Sequence, residues 1–416
     1  MPELIAPPLA LYVHFPWCVR KCPYCDFNSY TLSGELPEGA YLERLRLDIE
    51  GQAPGVASRE VGSVFLGGGT PSLFSPASIA QLLAAAGRHF TLAPDLEVTL
   101  EANPGAIERG AFREYRAAGV TRVSLGAQSF DAARLEALGR IHAPSDTRRA
   151  ANELHAAGLG NFNLDLMYAL PGQTLEGAIA DVEEALALAP AHLSHYQLTL
   201  EPGTLFAARP PPLPDDDAAA AMLEECGARL AQAGFAQYEV SAYARSGREC
   251  RHNLNYWTFG DYLGVGAGAH GKLTFPAEGA VVRTEQLREP RRYLAAEREL
   301  ARRVVSRQEL PFEFMLNALR LTQGFEAATF PERTGLEWSE IQAPVAAAIA
   351  RGLLQPTPKG YRASAQGLRF LNEVLLGFMP ETALLSGSSA LSTPRGRTRP
   401  VRSGPLFTAP GRGVGE

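Results

Sequence analysis

Short apolar runs of β-forming residues alternate with helical patterns over the first two-thirds of the chain. The runs are LYVHF (11–15), VGSVFLG (61–67), LEVTLE (96–101), VTRVSLG (120–126), FNLDLMY (162–168), LSHYQLTL (193–200) and FAQYEVSA (235–242). Amphipathic segments lie between them. In EGAIADVEEALALA (176–189), Ile179, Val182, Leu186 and Ala189 recur at spacings of three and four, with acidic residues on the other face, as an amphipathic helix requires. Strand–helix alternation at this interval predicts right-handed βαβ units and a parallel sheet, either open and doubly wound or closed into a barrel.

The strand rhythm is expected to stop by about residue 295. QELPFEFMLNALRL (308–321) and WSEIQAPVAAAIARGLL (338–354) read as helices, followed by a short hairpin around PTPKGYRAS and a last helix to about Phe378. This divides the chain into a first domain at 1–295 and a small, mostly helical C-terminal domain at 296–380. Helix, helix and hairpin is also the order of a winged helix, but the charge around it is mixed and nucleic-acid binding is not expected. In ARPPPLPDDDAAAAM (208–222) a stiff proline loop precedes an Asp-rich helix start, where Asp215 to Asp217 suit the positive end of the helix. The remaining residues, 381–416, are rich in Ser, Gly and Pro with scattered Arg and read as a flexible tail.

The 416 residues carry 39 Lys+Arg against 45 Asp+Glu, a net charge of −6, which predicts no general affinity for nucleic acid or anionic lipid. No run of ~18 apolar residues predicts a spanning helix. The N-terminal segment has an acid where a signal peptide would be basic, so a cytoplasmic location is expected. Five cysteines cannot all pair, and Cys18, Cys22 and Cys25 crowd together directly after the first strand. In a reducing compartment such a group reads as a metal site.

The spacing is C-x3-C-x2-C. Three thiolates fit three irons of a cubic four-iron cluster and leave the fourth iron free for an exchangeable small molecule. The alternative is a zinc site with His14 as fourth ligand, although the second C-x2-C pair common in zinc knuckles is missing. A c-type haem attachment fails because Asp26, not His, follows Cys25. Cys226 and Cys250 stand alone and read as buried thiols.

With Tyr24 before the last cysteine, the motif resembles the radical S-adenosylmethionine superfamily. The longer form Y-x-H-x-P-W-C-x3-C-x-Y-C-D-F, from Tyr12 to Phe27, resembles the branch holding oxygen-independent coproporphyrinogen III oxidase and related heme chaperones. The likeness extends over about residues 10–380. Gly67-Gly68-Gly69-Thr70-Pro71-Ser72 follows the second strand, where glycines permit close backbone approach; no Gly-Lys-Ser/Thr follows, against a P-loop. Glu101 in EANP, Gln128 in GAQSF, Arg140 in GRIH and Asp165 in NLDLMY come at or just after later strands. Polar residues at the carboxyl ends of successive parallel strands converge on one mouth of a barrel. The expected fold is therefore α/β: a complete or partial parallel (β/α) barrel of the radical S-adenosylmethionine type.

The resemblance implies a [4Fe-4S] cluster on Cys18, Cys22 and Cys25. It also implies an S-adenosylmethionine pocket lined by Tyr12, Tyr24, Gly68, Gly69, Thr70, Glu101, Gln128, Arg140 and Asp165. Backbone groups suit the methionyl end, acids the ribose hydroxyls, arginine a carboxylate and tyrosine the adenine. In the superfamily the reduced cluster passes one electron to the sulfonium and a 5′-deoxyadenosyl radical forms.

Three features separate oxidase from chaperone. The oxidase pattern has a fourth cysteine two positions past the third, where this chain has Phe27. The oxidase also has a sizeable extension before its cluster, against seventeen residues before Cys18 here. Finally, Arg251-His252-Asn253-Leu254-Asn255-Tyr256-Trp257 matches the H-N-x-x-Y-W motif that the chaperones associate with haem. His252 suits haem iron, Asn253 belongs to the motif, and Tyr256 and Trp257 offer flat faces to a macrocycle. The residues alone equally allow Tyr256 and Trp257 to pack a domain boundary; the resemblance favours haem. GVGAGAHG (264–271) reads as a further loop near the ligands, with His270 a weaker ligand candidate. His14 is expected to order the cysteine loop, and His142 and His195 to be core or surface residues. A heme chaperone that delivers haem to an acceptor protein is the expectation, with radical decarboxylation of coproporphyrinogen III as the alternative. The sequence leaves a homodimer undecided.

Overall fold

Alternation of apolar and polar residues builds a sheet with two unlike faces. The computed structural model describes residues 2–56, 59–105, 110–296 and 300–380; the tail expected at 381–416 lies outside them. Six strands, β1 (Leu9–Phe15), β2 (Glu60–Gly68), β3 (Thr91–Ala102), β4 (Arg122–Gln128), β5 (Phe162–Tyr168) and β6 (His192–Gln197), pair in parallel in chain order. Helices α1 (Glu38–Gln52), α2 (Pro76–His89), α3 (Phe112–Ala117), α4 (Pro144–Ala156) and α5 (Leu175–Ala187) cross between them. Local chemistry starts these helices: Ser75 accepts the Ser78 N–H ahead of α2, which begins on Pro76. The next helix, α6 (Asp216–Gln232), is capped by Asp215, whose carboxylate accepts the Ala218 N–H at 2.8 Å.

Two segments depart from the periodicity reading. FAQYEVSA is not one strand but a tight hairpin, β7 (Ala236–Glu239) and β8 (Ala242–Ala244), with β8 antiparallel to β6. The Glu239 carboxylate accepts both the N–H and the hydroxyl of Ser241 and so fixes the reversal. Beyond helix α7 (Arg251–Trp257), the glycine-rich stretch expected as a loop contributes to two strands. These are β9 (Asp261–Val265) and β10 (His270–Phe275), and β9 adds a seventh parallel strand beside β1. Glycine hides this strand from propensity, yet the site demands it, since a Cβ on Gly264 would lie 2.0 Å from the His270 carbonyl oxygen.

The strand rhythm also runs past 295. The strands β11 (Ala280–Glu285) and β12 (Ala301–Val304) continue antiparallel from β10. The strand order is β12-β11-β10-β9-β1-β2-β3-β4-β5-β6-β8-β7. The edge strands do not pair with each other, so the barrel is partial.

On the outer face, Leu11, Val13, Val64, Leu66, Val98, Leu100, Val123 and Leu125 pack under helix residues such as Tyr41, Leu45, Ile79 and Leu82. The inner face carries Tyr12, His14, Ser63, Phe65, Glu97, Thr99, Glu101, Arg122, Ser124, Asn163 and Asp165, as the two-residue period of the strands requires. A second core gathers Phe314, Phe330, Ile341 and Val345 from α8 (Leu310–Ala318), α9 (Thr329–Thr334) and α10 (Ser339–Ala350). The hairpin Leu354–Pro356/Gly360–Ala363 is joined there by Phe325–Glu326. No described helix is long and apolar enough to cross a membrane.

Asp261 pins the start of β9. Fully buried, it accepts from Lys272 Nζ (2.8 Å), Arg59 Nη1 (2.8 Å) and both the N–H and hydroxyl of Thr274. Burial pulls the Lys272 ammonium down to about 8 despite this partner. Asp261→Ala leaves that ammonium buried and unpaired, and a loss of ~3–5 kcal/mol in urea unfolding at pH 7 is expected. A loss below ~1 kcal/mol, the size typical of exposed pairs, would show that the pair is structurally idle.

Candidate functional site

The cysteines sit at the carboxyl end of β1. Trp17–Cys18 pairs in parallel with Tyr30–Thr31 and closes a loop that carries Cys22 and Cys25. Lys21 Nζ ties the loop from inside by donating to the carbonyls of Phe27 (3.1 Å) and Ser29 (2.9 Å). The His14 ring bonds the Tyr12 hydroxyl through Nδ1 (2.8 Å) and the Asn28 carbonyl through Nε2 (2.9 Å). His14 therefore orders the loop, and with both nitrogens engaged it has none to give a zinc ion. All three cysteines are free and half-buried. Burial pushes the Cys18 thiol up and that of Cys25 up to about 11, so a bound cation would have to hold them as thiolates. Among the described residues no three His, Cys, Asp or Glu converge on one ion; the thiolates of a cubic cluster each bind a separate iron.

Beside Cys22 opens a cavity of about 220 Å³, lined among others by Thr70, Asn103, Arg140 and His142. Thr70 and Ser72, at the end of the glycine run, form part of its wall, and the run packs on the cysteine strand. The Gly69 N–H donates to the Phe15 carbonyl (2.7 Å) and the Thr70 N–H to that of Trp17 (2.8 Å). A Cβ on Gly69 would stand 2.5 Å from the Trp17 carbonyl oxygen, and one on Gly68, at φ +113, 2.5 Å from the His14 ring. Only glycine fits.

A chain of hydrogen bonds joins this wall to the cysteines. Asn103 Nδ2 donates to Thr70 Oγ1 (2.9 Å). Arg140 Nη2 donates to Asn103 Oδ1 (2.6 Å) and the Gly126 carbonyl (2.6 Å), and Arg140 Nη1 reaches Cys22 Sγ at 3.7 Å.

Deeper in, Glu101 Oε2 accepts the Gly68 N–H at 2.9 Å. Burial, reinforced by the charge of Asp165, pushes its carboxyl up to about 7. Asp165 accepts from Asn163 Nδ2 (2.7 Å) and Ser124 Oγ (3.2 Å), and burial raises it as well. Gln128 adopts φ +66 at the end of β4, and its Oε1 accepts the Tyr196 hydroxyl at 2.7 Å. Tyr24 packs 6.3 Å from the Phe206 ring, and burial raises its phenol. Tyr12 lies lower, its ring against Phe65 (6.3 Å) and His252 (6.2 Å). Asn103, Ser124, Asn163 and Tyr196 escaped the sequence reading; Asn103 had a signal, two places after Glu101 in EANP.

The HNLNYW segment is helix α7, and it lies at the other end of the sheet. The Arg251 N–H donates to Glu97 Oε1 (2.9 Å), and His252 Nδ1 meets Ser63 Oγ (3.2 Å); Ser63, near the amino end of β2, is in register with Glu97 on β3. His252 is 2% exposed, stacked on Phe65 at 5.0 Å and edge-on to Tyr256 at 4.8 Å. Among the described residues its Nε2 has no hydrogen-bond partner, nor has Nε1 of Trp257. Asn253, Tyr256 and Trp257 are half-buried. Arg320 lies 4.3 Å over the Trp257 ring and pairs with Glu239, so α7 also packs the seam with the second core.

Contacts run from His252 through Tyr12 and His14 to Asn28 of the cysteine loop. His270 is half-buried on β10. His142 bonds the Ala127 carbonyl and His195 stacks on Tyr168.

Residues 12–185 match the Radical SAM superfamily and residues 305–370 the HemN C-terminal domain. The chain is 47% identical over 375 residues to heme chaperone HemW of Escherichia coli (strain K12), covering 90% of this chain and 99% of that protein. It is 45% identical over 385 residues to heme chaperone HemW of Haemophilus influenzae, covering 92% and 100%. Radical S-adenosyl methionine domain-containing protein 1, mitochondrial, of Mus musculus is 37% identical over 397 residues, covering 91% of this chain and 89% of that protein. Among solved structures, coproporphyrinogen III oxidase (HemN) from Escherichia coli superposes with a TM-score of 0.74 over 90% of each chain at 23% identity, which establishes the shared fold. With this fold, these cysteines and relatives so alike over their whole length, the chain belongs to the Radical SAM superfamily and, within it, to the family of the proteins named heme chaperone HemW.

Proposed function

We propose that the protein binds haem and passes it to an acceptor protein, with a [4Fe-4S] cluster on Cys18, Cys22 and Cys25 and exchangeable S-adenosylmethionine beside it. The observation that carries the haem reading is the imidazole of His252. Nδ1 is held by Ser63 while Nε2 is buried without a partner, the arrangement in which one nitrogen orients the ring and the other is left to a metal. Burial pulls this imidazole down to about 3, so at neutral pH it is uncharged and keeps a lone pair for iron. At 2% exposure His252 is closed off from solvent, so haem reaches Nε2 only if side chains packed around the ring move aside while Ser63 keeps Nδ1.

At the other end, the free thiols, the Arg140 guanidinium and the glycine cradle fit a cluster and its small ligand. When bound, the cluster supplies one-electron chemistry. Glu101 and Asp165 then accept ribose hydroxyls, Arg140 holds the charge beside Cys22, Gly68, Gly69 and Thr70 admit the methionyl end, and Tyr24, Tyr12 and Gln128 close the space against water.

The test is an anaerobic haem titration of the purified full chain, with and without S-adenosylmethionine. The wild type is expected to develop a Soret band and keep it through desalting. His252→Ala should alter the band and release the haem while iron per chain stays constant. A wild type that retains no haem would sink the reading, and so would conversion of coproporphyrinogen III to protoporphyrinogen under reducing conditions.

A further inference from the structure

Three polar atoms on or against the inner face of the sheet are buried without a hydrogen-bond partner among the described residues: Thr99 Oγ1, Arg122 Nε and His252 Nε2. They form a row. Phe65 on β2 is in register with Thr99 on β3, Thr99 is in register with Arg122 on β4, and the His252 ring stacks on Phe65. Exposure is 0% for Thr99 and 2% for both Arg122 and His252.

Arg122 is the telling member. Its guanidinium keeps its proton at any working pH, and the charges of Glu97 and Asp165 lie near it, yet its Nε has no hydrogen-bond partner among the described residues, a costly state for a buried donor. The nearby carboxylates are engaged elsewhere. Glu97 accepts the Arg251 N–H, and Asp165 accepts from Asn163 and Ser124. The row therefore presents one permanent cation, one hydroxyl and one neutral imidazole to the barrel interior. A carboxylate satisfies such a set, with one oxygen on the guanidinium and the other on the hydroxyl. A phosphate dianion between Glu97 and Asp165 would not.

We propose that Arg122 and Thr99 form a carboxylate subsite inside the barrel, filled by a propionate of the macrocycle whose iron His252 Nε2 holds. The inference rests on the haem reading above and adds the group that would select a free acid over an ester. A free small carboxylate has the same chemistry, and the experiment separates the two sources.

The full chain is titrated anaerobically with haem and with haem dimethyl ester, as wild type, Arg122→Gln and Thr99→Val. The wild type is expected to bind haem roughly tenfold or more tightly than the ester. In Arg122→Gln that preference disappears while ester affinity is unchanged. Thr99→Val, nearly the same shape and a safeguard should the arginine variant not fold, is expected to lose haem affinity severalfold and ester affinity not at all.

Haem and ester binding alike, with acetate raising the wild-type Tm but not that of Arg122→Gln, would keep the carboxylate subsite and overturn the propionate. No discrimination and no acetate effect would overturn the subsite, leaving water on the three groups. A wild type that retains neither macrocycle would instead overturn the haem reading, and the acetate arm still decides the subsite.

Discussion

Cys22→Ser is expected to yield a folded protein without an iron–sulfur cluster. Iron and sulfide per chain should fall to near zero after anaerobic reconstitution, and the reduced sample should give no low-temperature EPR signal. The physical reason is that a serine hydroxyl is not ionised at neutral pH, and two remaining thiolates hold only two corners of a cube. The cost to the fold is small, ~1 kcal/mol or less. Cys22 is half-buried, and Arg140, which loses the sulfur at 3.7 Å, keeps Asn103 and the Gly126 carbonyl. Cys250→Ser is the contrasting control. That thiol is fully buried against Glu97 at the far end of the sheet, so its loss should lower stability and leave iron content intact. Wild-type iron in Cys22→Ser would refute the cluster assignment.

Glu101→Gln is expected to stabilise the protein in alkali while weakening its hold on S-adenosylmethionine. Burial and Asp165 lift the Glu101 carboxyl from 4.5 to about 7. Between these values the native state holds a proton that the unfolded chain releases. The stability contributed by this group is therefore complete below pH 4.5 and is lost as pH rises through 7. Glutamine never ionises and still accepts the Gly68 N–H. The variant should thus match the wild type near pH 4.5 and exceed it at pH 8 by up to about 3 kcal/mol. Its amide offers one acceptor oxygen where the carboxylate offers two, so affinity for a vicinal diol should fall at least about tenfold. Urea unfolding at pH 5 and pH 8, with calorimetric titration of S-adenosylmethionine, checks both halves. Equal stability at pH 8 would mean that Glu101 is ionised without cost, and the raised carboxyl would be wrong.

The legible parts of the fold were those with local signals. FNLDLMY alternates cleanly and forms a strand over the same residues, Phe162–Tyr168. Glu101 and Gln128 lie at the ends of β3 and β4, where Glu101 accepts the Gly68 N–H of the glycine run and Gln128 the Tyr196 hydroxyl. The glycines of GVGAGAHG (264–271) suggest a loop, because a glycine that lets two strands touch looks the same in sequence as one that opens a turn. The strand that Gly264 and Val265 complete exists because Leu9 to Val13 offer an edge to Asp261 to Val265, a pairing between distant segments that no local window contains. Asn103 was likewise in view without a role. Its importance lies in bridging Thr70 to Arg140, and both partners come from other loops.

Cysteine spacing, the order of polar strand ends and the HNLNYW segment are short-range patterns. They singled out the three-cysteine segment and carried the resemblance to the superfamily without any coordinates, as strand–helix alternation did the parallel α/β architecture. Tertiary structure decided the rest. It left the sheet open between β12 and β7, and it engaged both nitrogens of His14 in ordering the cysteine loop. It set α7 beneath the strands at the end opposite the cysteines, and it lined up Thr99 Oγ1, Arg122 Nε and His252 Nε2 with no hydrogen-bond partner among the described residues. Periodicity tells which face of an element a residue occupies; only the register between strands tells which residues from other elements meet it there.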